Sequence, residues 1–258
     1  MQRRPHMLAV IAAAATSLVA SDAAAQEACK LTTIGTARAA AVSDGRTLKL
    51  DDGRELRLAA IETGDESRPA LQALAYGQPL RLARLGAGHD RYGRLFGFAF
   101  AGTPQQSLQA ALLARGLARV SARVGDKACA DALLTIERGA RADRRGLWAD
   151  PNFAPLQAED LTRIQAERGH FALVEGRVLS VHESGATIYV NFGRHWTRDF
   201  TVIILKRLRR AFAGAGIEPK RLEGRRIRVR GFIEQRRGPI IEADAPEQIE
   251  FADQVHHE

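Results

Sequence analysis

Apolar and polar residues alternate over several short stretches in the first half of the chain. Side chains of a strand point alternately to the two faces of a sheet, so this period predicts strands with one buried face. Asp51-Asp52-Gly53 adds a strong hairpin turn between two of these stretches. The predicted strands are Ala37–Val42, Thr47–Leu50, Glu55–Ile61, Leu80–Leu85 and Leu95–Phe100.

Three segments of the same half have the spacing or the end signals of helices. Glu66–Ala75 has Pro69 close to its start, where a proline is tolerated. Ser107–Arg115 begins with a residue type that caps helix N-termini and is followed by Gly116. Cys129–Arg144 places its apolar residues on one face, which is the pattern of a helix packed against a core.

The pattern breaks at Asp150–Pro155, where two prolines and polar residues interrupt any helix. Leu156–Glu167 is then predicted to be a connecting helix, and from residue 170 the pattern favours strands again. A short basic helix, Lys206–Ala213, separates the third strand from the fourth, which is the layout of an OB-type barrel. The predicted strands are Phe171–Val181, Ala186–Phe192, Asp199–Leu205, Ile227–Glu234 and Pro239–Ala243.

The first 25 residues have the pattern of a cleaved secretion signal. Arg3 and Arg4 precede the apolar run 7–19, which is too short to span a bilayer, and Ala23-Ala24-Ala25 supplies the small residues of a cleavage site. No later stretch of the sequence is long and apolar enough to span a membrane. We therefore expect a periplasmic or secreted protein.

Two cysteines, Cys29 and Cys129, follow that segment. Exported chains tend to oxidise their cysteines, so we predict a disulfide between them, with two free thiols as the alternative. Two cysteines so far apart in sequence offer no metal site.

An arginine enters an apolar strand from the polar turn Asp90-Arg91-Tyr92-Gly93-Arg94. A second arginine, Arg57, lies in the strand that leads into the acidic segment 62–66. Guanidinium groups bind phosphate through paired hydrogen bonds, and carboxylates hold a cation or activate water. Taken alone, the turn is more typical of a solvated hairpin. Together the two arginines and the acidic segment indicate a site for phosphodiesters.

Five sequence blocks follow one another in the first half of the chain: Asp44–Leu50, Arg57–Thr63, Asp90–Arg94, the helix from Leu108 to Val120, and Gly146-Leu147-Trp148. With these blocks in this order, residues 41–149 resemble the thermonuclease domain of the staphylococcal nuclease-like family. The resemblance implies a five-stranded oligonucleotide-binding (OB) barrel with three helices. The expected fold class is therefore α+β and mainly β, with signal peptide 1–25, thermonuclease-like domain 26–149, linker and connecting helix 150–169, and a second, smaller OB-like barrel at 170–258.

The resemblance implies roles for single positions. Arg57 and Arg94 match the two arginines that bind the phosphate and stabilise its charge. Asp65 matches the general base, and Glu66, one position further on, is the alternative base. Glu62 and the backbone carbonyl of Thr63 match ligands of a calcium ion.

Three positions depart from the family pattern. Arg46 stands where the family has another calcium-ligand aspartate, although Ca²⁺ is held by oxygen ligands. Gly64 replaces a proline and loosens the turn before the base. Asp65 is one methylene shorter than the expected glutamate, and a displacement of about 1 Å costs roughly 100-fold in rate. Ca²⁺ is thus the implied cofactor, but these departures argue against it, and hydrolysis is expected to be weakened or lost.

A second group of basic and aromatic residues is predicted to contact nucleic acid. The arginines of the segment 226–230 alternate with apolar residues and share one strand face, and two aromatics lie in a neighbouring strand and loop. Stacking surfaces combined with cations are what single-strand binding requires. The alternative is a solvated face with ordinary core aromatics. The residues of this prediction are Tyr92, Tyr189, Trp196, Arg226, Arg228 and Arg230.

The formal net charge of +8 favours an anionic partner, with nucleic acid first and acidic lipid or envelope polymer behind it. We therefore predict an exported nucleic-acid-binding protein with weak or lost phosphodiester hydrolysis. An active calcium-dependent nuclease on DNA or RNA and a non-catalytic envelope interaction module remain as alternatives.

Overall fold

A long first strand organises the N-terminal part of the molecule. A computed structural model describes residues 28–86, 90 and 92–252, so the predicted secretion signal lies outside the described residues. The strands of this part are β1 (Thr32–Asp44), β2 (Thr47–Leu50), β3 (Glu55–Leu58), β4 (Ile61–Glu62), β5 (Pro79–Arg84), β6 (Leu95–Ala101), β7 (Gln106–Ser107) and β8 (Arg119–Val120).

Five of these strands close into a barrel. The C-terminal half of β1 pairs with β2 and its N-terminal half pairs with β5, both antiparallel. β2 continues to β3, β5 continues to β6, and a parallel pairing of β3 with β6 closes the ring. The predicted five-stranded barrel is confirmed. Its first strand begins at Thr32 rather than Ala37, because residues without an alternating pattern still pair with β5.

Three helices of the described residues accompany the barrel: α1 (Arg68–Ala75), α2 (Leu108–Ala114) and α3 (Lys127–Ala142). A 3₁₀ turn, Asp65–Ser67, precedes α1, so the helix proper starts one residue before Pro69. The hydroxyl of Ser107 accepts a hydrogen bond from the backbone N–H of Ala110 and caps α2, as its residue type predicts.

The predicted disulfide is present. Cys29 and Cys129 are bonded, with 4.3 Å between their Cα atoms, and both are buried. The bond ties the chain just before β1 to the first turn of α3, across 100 residues of sequence.

The chain divides into two compact units. The first holds the described residues up to Arg119 together with Ala128–Gly146, and the second holds Val120–Lys127 and the described residues from Leu147 onward. The strands of the second unit after β8 are β9 (Leu156–Gln157), β10 (Phe171–Arg177), β11 (Ser180–Ser184), β12 (Thr187–Asn191), β13 (Thr201–Leu205), β14 (Arg226–Phe232), β15 (Glu234–Gln235), β16 (Pro239–Glu242) and β17 (Ile249–Phe251).

These strands form two sheets, in the orders β17-β14-β10-β9 and β11-β12-β13-β16-β15. Between them lies an apolar core that includes Val174, Ile188, Val202, Ile227 and Ile241. β13 and β16 run parallel, while β10 and β14 run antiparallel. The OB-like assignment of this unit stays a prediction.

The connecting helix predicted over Leu156–Glu167 is shorter in the structure. Leu156 and Gln157 form β9, which pairs with Val174 and Glu175, and the helix α4 covers only Leu161–Ala166. The carboxylate of Asp160 accepts from the backbone N–H of Arg163 at 3.1 Å and fixes this start. A second short helix, α5 (Arg209–Gly214), follows β13.

Within the described residues, no helix has both the length and the apolar composition needed to cross a membrane.

Candidate functional site

Arg57 projects from the middle of β3, between Thr47 on β2 and Phe96 on β6. Its side chain is 22 % exposed, and its Nη1 donates a long hydrogen bond of 3.4 Å to the Thr47 hydroxyl. The nearest carboxylate oxygen of Asp44 lies 3.9 Å from the same nitrogen. The guanidinium is therefore half-buried at the barrel with weak contacts to its partners.

Arg94 is positioned by the turn that precedes β6. One carboxylate oxygen of Asp90 accepts from the backbone N–H groups of Tyr92 and Arg94, at 2.9 and 3.1 Å. The other accepts from Nε and Nη2 of Arg94, at 2.8 and 2.7 Å. Partial burial opposes ionisation of Asp90, but the hydrogen bonds from Arg94 and Tyr92 hold its pKa below the ordinary value. Asp90 thus orders the turn and orients the guanidinium, whereas Arg91 lies outside the described residues.

The side chain of Arg46 contacts the start of the acidic segment 62–66. Its Nη2 is 2.7 Å from a carboxylate oxygen of Glu62, and its Nη1 donates to the backbone carbonyl of Ile61 at 2.5 Å. Close packing at Gly45 brings the two segments together, because a Cβ there would lie 2.2 Å from the carbonyl oxygen of Gly64. The turn between β1 and β2 therefore presses Arg46 against the strand that carries Glu62.

Two neighbouring guanidiniums act on Arg57. The pKa of Arg57 is lowered, first by burial and then by the positive charges of Arg46 and Arg94, against the opposing charges of Asp44 and Glu62. The charges of Arg94 and Glu62 therefore both act on Arg57, while the phosphate-binding roles of the two arginines stay predictions. Arg46 is a third positive member of that cluster.

The residues present do not fit a calcium ion. Ca²⁺ requires six to eight oxygen ligands, typically with several carboxylates. The predicted ligand Glu62 is instead paired with the Arg46 guanidinium, which also takes the Ile61 carbonyl. Among the described residues, no group of three or more His, Cys, Asp or Glu side chains is arranged to hold a metal ion.

The loop after β4 carries the remaining predicted residues. The Glu66 carboxylate accepts from the backbone N–H of Gly64 at 3.2 Å and folds back over this glycine. A proline at 64 has no N–H to donate, so glycine and Glu66 form a local turn that the family residue would not support. Asp65 is exposed at the start of the same turn. Its role as a base, like the carbonyl role of Thr63, stays a prediction.

The arginine face predicted on β14 is corrected by the structure. Arg230 is 1 % exposed, and it pairs with Glu250 and donates to the Val120 carbonyl at 3.0 Å. Arg226 and Arg228 both pair with Glu175 on the neighbouring strand. Burial favours the neutral form of Glu175, but these two arginines hold its pKa below the ordinary value. The face is an ion-pair network, and Arg230 is not a surface residue.

The predicted aromatic residues are placed differently. Tyr92 and Trp196 are 66 % and 58 % exposed, whereas Tyr189 is half-buried on β12. The ring of Tyr92 lies 5.2 Å from the guanidinium carbon of Arg94.

Two further carboxylates hold the turns that carry the arginines, and the motifs give them no role. Asp44 accepts from the backbone N–H of Arg46 at 2.8 Å, and Asp90 accepts from that of Arg94. An aspartate two to four residues before an arginine is the sequence signal, a spacing that local turns commonly use.

Comparison with known proteins identifies a family for the barrel region. No curated protein matches the chain in sequence. The family model described as staphylococcal nuclease homologue matches residues 31–150, the region that contains the closed barrel, its helices and the arginine cluster. By this match the chain contains, over residues 31–150, a domain of the staphylococcal nuclease homologue family, whose class of function is nuclease-like or nucleic-acid-binding.

Proposed function

We propose that the family domain binds the phosphodiester backbone of nucleic acid at Arg57 and Arg94 and that metal-dependent hydrolysis is weak or lost. The observation that carries this proposal is the Arg46 guanidinium, 2.7 Å from the Glu62 carboxylate, at the position where the family pattern has a metal ligand. A fixed positive charge thus stands at the position where a ligand for a positive ion is expected.

The electrostatics of Arg57 favour an anionic ligand. Asp90 neutralises Arg94 and Glu62 neutralises Arg46, but the nearest carboxylate of Arg57 is at 3.9 Å and 40 % exposed. Partial burial and then the like charges of Arg46 and Arg94 lower the pKa of Arg57, so its charged form is less stable than that of an arginine in water. A phosphate beside Arg57 would relieve the mutual repulsion and satisfy the guanidinium by charge-assisted hydrogen bonds.

Without a metal ion, hydrolysis would lack two contributions: polarisation of a phosphoryl oxygen and a lowered pKa of a bound water. A guanidinium supplies only charge and N–H donors. The candidate base Asp65 is exposed and short. Arg46, Arg57 and Arg94 would still bind a phosphate, which is why we assign binding ahead of cleavage.

The proposal also places the protein outside the cytoplasm. The N-terminal segment has the pattern of a secretion signal, and the Cys29–Cys129 bond is of a kind that persists in oxidising compartments. Periplasmic or secreted nucleic acid would then be the ligand.

Arg94→Ala is expected to weaken binding of an abasic oligodeoxyribose phosphate by about 10- to 100-fold, measured by fluorescence anisotropy of the labelled strand. A charge-assisted hydrogen bond contributes about 1.5–3 kcal/mol, and 1.4 kcal/mol corresponds to about tenfold. This probe has phosphodiesters but no bases, so it reports phosphate binding without base stacking, and the loss caused by Arg94→Ala is the contribution of the arginine cluster. Arg54→Ala is the matched control, because Arg54 pairs with Asp52 in the hairpin turn of the same domain. Equal affinities for the two variants would refute the assigned site.

An active calcium-dependent nuclease remains the second candidate, favoured by the retained pair Arg57 and Arg94. It makes a separate prediction: calcium-dependent nicking of plasmid DNA that Arg94→Ala abolishes. Binding without such cleavage supports the first candidate, and neither activity supports an interaction module of another kind.

A further inference from the structure

The second unit contains a groove that the family match does not cover. The groove has a volume of about 720 Å³ and lies on one face of the sheet formed by β11, β12, β13 and β16. His182, Tyr189 and Ile203 are direct cross-strand neighbours and form one row of its floor. Asn191 and Thr201 belong to the next row, where the Thr201 hydroxyl donates to the Asn191 side-chain carbonyl at 3.2 Å. The volume is that of a ligand site rather than of a packing defect.

One edge of the groove combines an indole with guanidiniums. Trp196 is 58 % exposed, which is unusual for the largest apolar side chain, and the guanidinium carbon of Arg237 lies 4.8 Å from the centre of its ring. Arg236 lies beside it on the hairpin between β15 and β16 and pairs with Glu242 at 2.9 Å. An exposed aromatic face with a cation at its edge is a stacking platform.

The charge of the groove has one sign. Among the residues that line it, two are arginines and none is a carboxylate, while the rest are polar or apolar. The described residues show no ion pair for Arg237, which is exposed. An anionic ligand is therefore favoured over a cationic or neutral one.

The loop that carries Trp196 is held in place before any ligand binds. One Asp199 carboxylate oxygen accepts from the backbone N–H of His195 at 2.8 Å, and the other accepts from Nε of Arg198 at 3.3 Å. Gly238 packs against this loop so closely that a Cβ would lie 2.9 Å from the Asp199 carbonyl oxygen. The loop and the arginine hairpin therefore form one supported edge, which reduces the ordering cost of binding.

We propose that this groove binds unpaired nucleotides of a single-stranded nucleic acid, with a base stacked on Trp196 and phosphates on Arg236 and Arg237. Bases must be unstacked to reach such a platform, so single strands are favoured over duplexes. The polar floor of His182 and Ser184 offers donors and acceptors for base edges. An acidic peptide would pair with the arginines, but it lacks the planar ring that an exposed indole is suited to stack. The proposal is independent of binding at Arg57 and Arg94.

The test uses the full chain with Arg94→Ala, so that the family domain contributes little. The chain has two tryptophans, of which Trp148 is buried and Trp196 is exposed. Oligodeoxythymidine is expected to quench Trp196 fluorescence in a saturable manner, most clearly with Trp148→Phe. In anisotropy titrations Trp196→Ala should weaken binding by about 5- to 150-fold, the equivalent of one base stack, and Trp196→Phe should restore most of it. Arg237→Ala should weaken binding and reduce the salt dependence.

The controls are an exposed aromatic and an exposed arginine of the same unit that do not line the groove. Phe232→Ala and Arg207→Ala are expected to leave the affinity unchanged. The proposal is overturned if Trp196→Ala binds the oligonucleotide as the parent does, or if polyglutamate displaces it at equal concentration. It is also overturned if a duplex of the same length binds more tightly. If the parent chain does not bind the abasic strand, the proposed phosphate binding at Arg57 and Arg94 is refuted. That result leaves the Trp196→Ala test of the groove unaffected.

Discussion

Reduction of the Cys29–Cys129 disulfide is expected to lower the free energy of unfolding of the first unit by about 4–5 kcal/mol. The bond closes a loop of 100 residues, and the chain-entropy model gives about 4.7 kcal/mol for such a loop. Because domains of this size are stable by only about 5–15 kcal/mol, the loss would place the reduced domain near its unfolding threshold.

The measurement is urea unfolding with and without reductant, followed by two signals. Far-UV circular dichroism reports both units, whereas the two tryptophans, Trp148 and Trp196, belong to the second unit. The reductant should shift the first transition and leave the fluorescence midpoint in place. Cys29→Ala/Cys129→Ala is the control, since it should reproduce the shift and be insensitive to reductant. A shift in the free energy of unfolding smaller than about 1 kcal/mol would contradict the stabilisation expected from closing this loop.

Arg230→Ala is expected to destabilise the second unit by about 3–5 kcal/mol. Removing one partner of a buried ion pair is strongly destabilising, because the other charge loses a counter-ion that water cannot replace. Arg230 is 1 % exposed and its partner Glu250 is 8 % exposed, so this pair lies almost entirely out of water. The hydrogen bond from Arg230 to the backbone carbonyl of Val120 would be lost as well.

Tryptophan fluorescence during urea unfolding measures this loss, because both tryptophans belong to the affected unit. Arg228→Ala is the matched control: its partner Glu175 retains Arg226, so the expected loss is much smaller. The double variant Arg230→Met/Glu250→Leu should recover most of the stability, since apolar replacement of a whole buried pair is often neutral. Similar losses for Arg230→Ala and Arg228→Ala would contradict the burial assigned to Arg230.

The barrel was predictable because its strands alternate and its turns contain the residues that tight turns need. The sequence pattern does not show which segments pack against each face of a strand. On β14 the alternation correctly places Arg226, Arg228 and Arg230 together, but it cannot distinguish a solvated face from one covered by a neighbouring segment. Here Glu175, Glu250 and the Val120 carbonyl complete that face.

The contacts of the candidate site were only partly predictable. Motif order predicts that Arg57, Arg94 and Glu62 belong to one site, and the charges of Arg94 and Glu62 both act on Arg57. The functional roles of these residues stay predictions. The contact between Arg46 and Glu62 depends on the absence of a side chain at Gly45, which allows two turns to touch. Such an approach is a tertiary property, and the sequence pattern records only that a glycine is present.

We infer that the Arg46 guanidinium occupies the place beside Glu62 where a metal ion would bind. Calorimetric titration with calcium checks this inference on the parent chain, on Arg46→Asp and on Arg54→Asp as the matched charge reversal. Up to about 1 mM Ca²⁺, the weak end of protein calcium sites, only Arg46→Asp is expected to bind calcium saturably. Saturable calcium binding by the parent chain that Glu62→Gln removes would refute the inference.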